Sequence, residues 1–206
     1  MPRVLVTGFG RFPGAPVNPS GPLARALAAT RRLPGAQIEA SVLPTLWDAA
    51  AGFAAQLDRL QPDVVLMIGL ASRRREVCIE ITGRNATGRF PDAARARPGT
   101  RRLLAGGPPT RRCAAEAAPL LQALKRAGVP ARLSRNAGGY ICNALAYGAY
   151  GWAQRAGAAR LAVFVHIPHP RPGGIPAAKM RRGLEALLVA LVARQRHARL
   201  MAAAAR

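Results

Sequence analysis

Two hydrophobic rhythms take turns along this chain. Apolar runs of strand length occur at Arg3-Val-Leu-Val-Thr7, Asp63-Val-Val-Leu-Met-Ile-Gly69 and Leu161-Ala-Val-Phe-Val-His-Ile167. The middle run is the clearest strand in the sequence. Gln37-Ile-Glu-Ala-Ser-Val-Leu43 alternates with period two and predicts another strand, as does 131–134. The stretch 76–82 predicts a further strand, half-exposed. Helical spacing or composition fills the gaps, at about 22–32, 47–60, 112–127 and 142–155. Pro62 ends the second of these, and a last helix begins after Gly173-Gly-Ile-Pro176, with a frayed tail over 201–206. Residues 85–110 are rich in Gly, Pro and Arg and predict a long ordered loop or flap. Such loops are uncommon in compact domains unless they carry function.

This alternation predicts one α/β domain over 1–206: a mostly parallel twisted sheet with helices on both faces, hence three layers. Active sites of such folds lie beyond the carboxyl ends of the strands. The glycine loop 8–14, the segment before Cys142 and His166 all follow strands, so they are expected to meet on one edge.

Composition narrows the function classes. At 206 residues the chain can bury a real core, built mainly from Ala, Val, Leu and Ile because aromatics are only 5%. No apolar run reaches the roughly 18 residues of a membrane span, and the N-terminus lacks the pattern of a signal peptide. Cys78, Cys113 and Cys142 show no CxxC spacing and cannot all pair. A reduced, cytoplasmic protein without structural disulfides or a zinc site is expected. The formal charge of +22 would ordinarily suggest nucleic acid. Nearly all of it is arginine, however, with Lys125 and Lys179 the only lysines, and it is scattered without interleaved aromatics. A composition bias explains that better than a specific nucleic-acid site, although salt-sensitive sticking to polyanions is expected.

The chemistry concentrates in Asn136-Ala-Gly-Gly-Tyr-Ile-Cys-Asn143 and Phe164-Val-His-Ile-Pro168. Cys142 opens a helix and His166 closes a strand, and cysteine with histidine is the minimal kit for a thiol nucleophile. A thiol at a helix N-terminus meets unpaired N–H groups and the positive end of the macrodipole, which favour the thiolate. Cys78, on a strand face, and Cys113, early in a helix, are expected to be core residues, and His169 and His197 surface residues. The loop Gly8-x-Gly-x-x-x-Gly14 does not suit a dinucleotide. Phe12 and Pro13 crowd the turn, and no acidic residue ends the second strand to hold a ribose.

Taken with Val4-Leu-Val-Thr-Gly-Phe-Gly-Arg-Phe-Pro-Gly14, Asn18-Pro-Ser20, and Glu80 followed by Asn85 and Gly88-Arg-Phe-Pro-Asp92, these motifs span most of the chain. In this order they resemble the pyroglutamyl peptidase I (pyrrolidone-carboxylate peptidase) family of cysteine peptidases. The resemblance implies a Glu80–Cys142–His166 triad that removes N-terminal pyroglutamate from peptides, without metal or organic cofactor. It implies substrate contacts from Phe9, Phe12, Arg89 and Tyr140, and a homo-oligomer, often a tetramer. Pyroglutamate is a flat, uncharged lactam, so apolar walls and a few backbone hydrogen bonds suffice to hold it. The chain departs from the family where a glutamine is replaced by Leu70 and an asparagine by Ala93, and Arg73-Arg-Arg75 is unusually basic. A related cysteine hydrolase of shifted specificity, or a catalytically idle basic binding protein on the same scaffold, are the alternative readings.

Overall fold

The computed structural model describes residues 1–12 and 14–204. Its strands are β1 (Arg3–Phe9), β2 (Gln37–Leu43), β3 (Val64–Leu70), β4 (Val77–Glu80), β5 (Thr82–Arg84), β6 (Thr110–Arg112), β7 (Ala131–Ser134) and β8 (Leu161–Ile167). Its helices are α1 (Ser20–Ala28), α2 (Trp47–Ala51), α3 (Phe53–Leu60), α4 (Ala117–Arg126), α5 (Ile141–Gln154) and α6 (Ala177–Ala204). Six strands form the central sheet in the order β2-β1-β3-β8-β4-β7, while β5 and β6 pair separately. β2, β1, β3 and β8 are mutually parallel. β4 and β7 are parallel to each other, and β4 runs antiparallel to β8.

Strands buried on both faces read as continuous apolar runs, and β1, β3 and β8 do so because each face has its own helical layer. Val4, Val6, Leu66, Ile68, Val163 and Val165 pack toward α1, α4 and α6. Leu5, Phe9, Val65, Met67, Ala162 and Phe164 pack toward α2, α3 and α5. The fold is therefore the expected single-domain, three-layer α/β arrangement. Among the described residues no helix is long and apolar enough to cross a membrane.

Several elements differ from the sequence expectation for identifiable reasons. The strand expected to be half-exposed is fully buried over Val77–Glu80, because it is inserted between β8 and β7. Val77 and Ile79 enter one core layer, while Glu80, two residues on from Cys78, shares that residue's side of the strand. Its remainder turns away to pair as β5 with β6. The helix over 47–60 breaks at Gly52 into α2 and α3, where a glycine makes helix continuation costly. The helix expected from 112 begins at Ala117, so Arg112 belongs to β6 and Cys113 lies between the two. Pro119 explains the start, since proline is tolerated only in a first turn. Pro13, and Ala205 and Arg206 of the tail expected to fray, lie outside the described residues.

The reversed direction of β4 follows from its short connection. Residues 71–76 leave the carboxyl end of β3, cross the end of β8, where Ala71 N–H donates to Ile167 O at 2.8 Å, and must enter β4 from that same end. A parallel return would need a crossover of a dozen or more residues. Elsewhere β1 and α1 approach so closely that a Cβ on Gly8 would overlap the Ser20 carbonyl. Gly8→Ala is expected to cost about 2–3 kcal/mol, the scale of a steric insertion into a packed interior. Urea unfolding should show a lowered midpoint with an unchanged slope; an unchanged midpoint would contradict this packing.

Candidate active site

The insertion of β4 sets Glu80 diagonally across from His166. Glu80 is registered with Phe164, and Cys78 with His166, so the carboxylate and the imidazole project from the same side of adjacent antiparallel strands. Glu80 Oε1 lies 2.8 Å from His166 Nδ1. An ionised carboxylate only accepts, so Nδ1 carries the proton of this bond and Nε2 is left with the lone pair. Both residues are buried, Glu80 at 0% exposure and His166 at 5%.

The same Oε1 accepts a second hydrogen bond, from Arg74 Nη1, and Arg74 Nη2 donates to Asn136 O at 2.8 Å. Arg74 thus joins the carboxylate to the loop that leads to Cys142. Burial works to raise the Glu80 pKa, but His166, the nearby Ser134 hydroxyl and the Arg74 charge outweigh it and hold the carboxyl below its ordinary value. Ser134 stands directly opposite Glu80 on β7. Its hydroxyl accepts from Asn136 N–H at 3.2 Å and donates only a long 3.4 Å bond to Asn136 O, while Glu80 Oε2 is buried without a partner. Turning that hydroxyl would supply one.

Cys142 is the second residue of α5, after an N-cap at Tyr140. Gly69, at the end of β3, is registered with His166 and gives the sulfur its place. A Cβ on Gly69 would sit 3.0 Å from Cys142 Sγ and 2.7 Å from Phe164 Cζ. One bare position on the sheet therefore brings the thiol beside the imidazole strand. The resting thiol is not the thiolate that a helix N-terminus alone would favour. Burial first, and the Glu80 charge second, push its pKa up to about 12, against the pull of its own backbone N–H and of Arg74.

The loop before α5 is tethered on several sides. Arg84 Nη2 donates to Asn136 Oδ1 at 2.7 Å and to Gly138 O at 3.0 Å. Asn143 accepts from Arg84 N–H at 2.9 Å and donates to Arg84 O and Ala86 O at 2.8 and 3.0 Å. Gly88 N–H donates to Gly139 O. The 85–110 segment is thereby ordered against the loop carrying the thiol. Its next stretch is held by Asp92, which accepts from the N–H groups of Trp47, Ala94 and Ala96 at 3.1, 2.9 and 2.9 Å.

An aromatic wall stands at the same end of the sheet. Tyr140 packs edge-on to Trp47 with centroids 5.5 Å apart and tilted to Phe12 at 6.5 Å, and its hydroxyl donates to Pro91 O at 3.0 Å. Phe9 is 3% exposed and belongs to the core beneath. Arg89 is exposed on the flap, one residue from Gly88, and its guanidinium has neither hydrogen bond nor ion pair among the described residues. The geometry thus gathers Glu80, His166, Cys142, Phe12 and Tyr140 and sets Phe9 below them, while the Arg89 guanidinium makes no polar contact with them among the described residues. Among the described residues no three His, Cys, Asp or Glu side chains cluster as a metal site. Cys78 is buried, as expected of a core residue, and Cys113 is a packed thiol whose pKa burial pushes up to about 12. His197 is exposed, but His169 is half-buried against a cavity, not a free surface residue.

Sequence reasoning missed Arg74, Arg84 and Trp47, and assigned no role to Asn143. Arg74 was visible only as the middle of an arginine triplet in a chain with 31 basic residues. Its place on the six-residue connection at the end of β8 singles it out, and that needs the topology. Because the Glu80 pKa is lower in the folded chain than in the unfolded one, its contribution to stability is complete above the ordinary carboxylate value, about 4.3. It is lost as pH falls through the depressed folded value. The Tm of the wild type should therefore fall more steeply below about pH 4 than that of Glu80→Gln. Parallel curves would show that Glu80 carries no such linkage.

The comparisons with known proteins bear on the family and the fold. The pyroglutamyl peptidase family profile matches residues 2–196. Pyrrolidone-carboxylate peptidase 1 of Ralstonia nicotianae is 36% identical over 174 residues, covering 82% of this chain and 79% of that protein. The pyrrolidone-carboxylate peptidase of Gloeobacter violaceus is 34% identical over 203 residues, covering 94% of this chain and 98% of its own. Among solved structures, pyroglutamyl peptidase I of Bacillus amyloliquefaciens superposes with a TM-score of 0.82 at 27% identity, over 94% of this chain and 98% of that one. A variant of the Pyrococcus furiosus pyrrolidone carboxyl peptidase shares the fold, with a TM-score of 0.84 at 24% identity over 92% and 98% of the two chains. With a family profile over nearly the whole chain, relatives above 30% identity and a shared fold, this chain belongs to the pyroglutamyl peptidase family of peptidases.

Proposed function

We propose that this protein removes N-terminal pyroglutamate from peptides, with Cys142 as nucleophile, His166 as general base and acid, and Glu80 as the group that orients the imidazole. The observation that carries the reading is the 2.8 Å bond between Glu80 Oε1 and His166 Nδ1, beside the bare Gly69 position that seats Cys142 Sγ. Family membership supplies the substrate class. Phe12 and Tyr140 line the flat lactam, with Phe9 as the floor beneath. Arg89 joins from the flap as a substrate contact when substrate is bound.

In the reaction, Sγ attacks the pyroglutamyl carbonyl carbon while the thiol proton passes to His166 Nε2. A thiol pushed up to about 12 is protonated at rest, so attack and proton transfer proceed together when substrate arrives. The oxyanion accepts hydrogen bonds from the backbone N–H groups of Ile141 and Cys142 at the start of α5, since those of Asn143 and Ala144 already donate to Tyr140 O. The C–N bond breaks as His166 returns the proton to the departing amine, leaving an acyl-thioester on Cys142. Water, deprotonated by Nε2, then attacks the thioester, frees pyroglutamate and restores the thiol. Glu80 stays ionised throughout and supports the transient imidazolium.

Three free cysteines suit a reducing, cytoplasmic setting, and homo-oligomeric assembly completes the reading. A hydrolase of shifted specificity is the second reading. Leu70, half-exposed at the end of β3 beside Ile167, brings no polar group to this end of the sheet.

Wild type should release the fluorophore from a pyroglutamyl-amide under reducing conditions, and Cys142→Ala should lower kcat by about 10⁴-fold or more. Turnover retained by Cys142→Ala would exclude it as nucleophile. Turnover of other acyl-amides but not the pyroglutamyl one would favour the shifted-specificity reading. Phe12→Ala is expected to raise KM several-fold with a smaller change in kcat; the reverse pattern would remove Phe12 from the substrate wall.

A further inference from the structure

Behind Glu80 lies a second concavity that the peptidase reading does not use. It is a cavity of about 370 Å³ at the carboxyl ends of β3 and β8, walled by Ser72, Arg74, Arg75, His169 and Arg171. No carboxylate lines it. The acidic residues nearest in sequence are engaged elsewhere: Glu76 pairs with Arg132 at 2.8 Å, and Glu80 holds His166 and Arg74. Arg75, His169 and Arg171 have no acidic partner among the described residues. Arg171 is presented by a closed turn in which its N–H donates to Ile175 O at 3.1 Å and its carbonyl accepts from Gly174 N–H at 3.2 Å.

We infer that this cavity is a binding site for a small divalent oxyanion of the phosphate type, and that its occupancy is felt at His166 through Arg74. Arginines that line one concavity without counter-charge focus positive potential into it. Their planar forks match the oxygens of phosphate, and the Ser72 hydroxyl adds a donor suited to the same ligand. Arg74 is the shared element: one nitrogen holds Glu80 Oε1, the carboxylate oxygen bonded to His166, and the side chain also walls the cavity. An oxyanion there draws on the same guanidinium that balances Glu80, so the imidazole senses a changed charge behind it. Cys78 and Cys142 are the other titratable groups close to the imidazole's surroundings.

High positive charge alone could gather phosphate loosely, so the test uses two double variants that each remove two arginines. Arg75→Ala with Arg171→Ala strips the cavity, and Arg97→Ala with Arg101→Ala strips a groove along the flap. Calorimetric titration of the full chain with inorganic phosphate, at constant ionic strength, should give saturable one-to-one binding. The cavity variant should weaken it about tenfold or more, the flap variant should leave it unchanged, and acetate should bind far more weakly. Equal losses in both variants, or no saturation, would reduce the effect to the general field of a cationic chain and overturn the site. Acetate binding as tightly as phosphate would overturn the ligand class. The ring nitrogen signals of His166 should shift along the same binding curve in wild type but not in the cavity variant. Saturable binding that leaves them unmoved would overturn the link through Arg74. Neither readout depends on peptide turnover, so the outcome is independent of the peptidase reading.

Discussion

One buried carboxylate oxygen organises this site. Glu80 Oε1 accepts from both His166 and Arg74, inside a sheet where Glu80 has no exposure to solvent. A buried charge is costly unless paired and hydrogen-bonded, and removal of one partner leaves the other uncompensated. His166, Ser134 and Arg74 together keep the carboxylate ionised against its burial, and the ionised carboxylate fixes the imidazole tautomer. The short connection between β3 and β4 provides both halves of this arrangement. It crosses the end of β8, sets Arg74 at the turn, and sends β4 back antiparallel so that Glu80 projects beside His166.

The thiol depends on a different set of constraints. Gly69 leaves room for the sulfur on the sheet, while Asn143, Arg84 and Gly88 tie the loop before α5 to the start of the flap. These bonds are made to backbone as much as to side chains, so the loop is held in position as well as in sequence register. A packed environment keeps the thiol protonated at rest. In the proposed mechanism reactivity therefore comes from pre-positioning beside a correctly protonated imidazole, with no standing thiolate. That suits three free cysteines, all of which are held protonated by burial.

Much of this was legible along the chain, and the exceptions share a cause. Apolar runs buried on both faces, such as 64–70 and 161–167, announce their strands whatever their neighbours do. The motif around Cys142 and the strand ending near His166 could be paired through their chemistry. Direction could not be read for β4, because Val77 to Glu80 has the same pattern in either orientation and only its short connection decides. That same ambiguity made the strand look half-exposed: Glu80 reads as a solvated residue until its partners are known. Arg74 was hidden for the complementary reason, being one arginine in a triplet, distinguished only by where the turn sets it. Trp47 read as an ordinary helix residue, since its contact with Tyr140 joins segments far apart in sequence. Local pattern reveals elements and local chemistry; cross-strand partners of buried charges require the assembled sheet.

The central claim is that Cys142, served by the His166–Glu80 pair, carries the pyroglutamyl group during turnover. The most direct measurement is rapid acid quenching of wild type during steady-state turnover of a pyroglutamyl ester or amide, followed by peptide mass spectrometry of all three cysteine-bearing segments. The account predicts a mass increment of one pyroglutamyl group on the Cys142 peptide alone, absent from unreacted enzyme and lost on exposure to hydroxylamine. Turnover with the increment on the Cys78 or Cys113 peptide would contradict it.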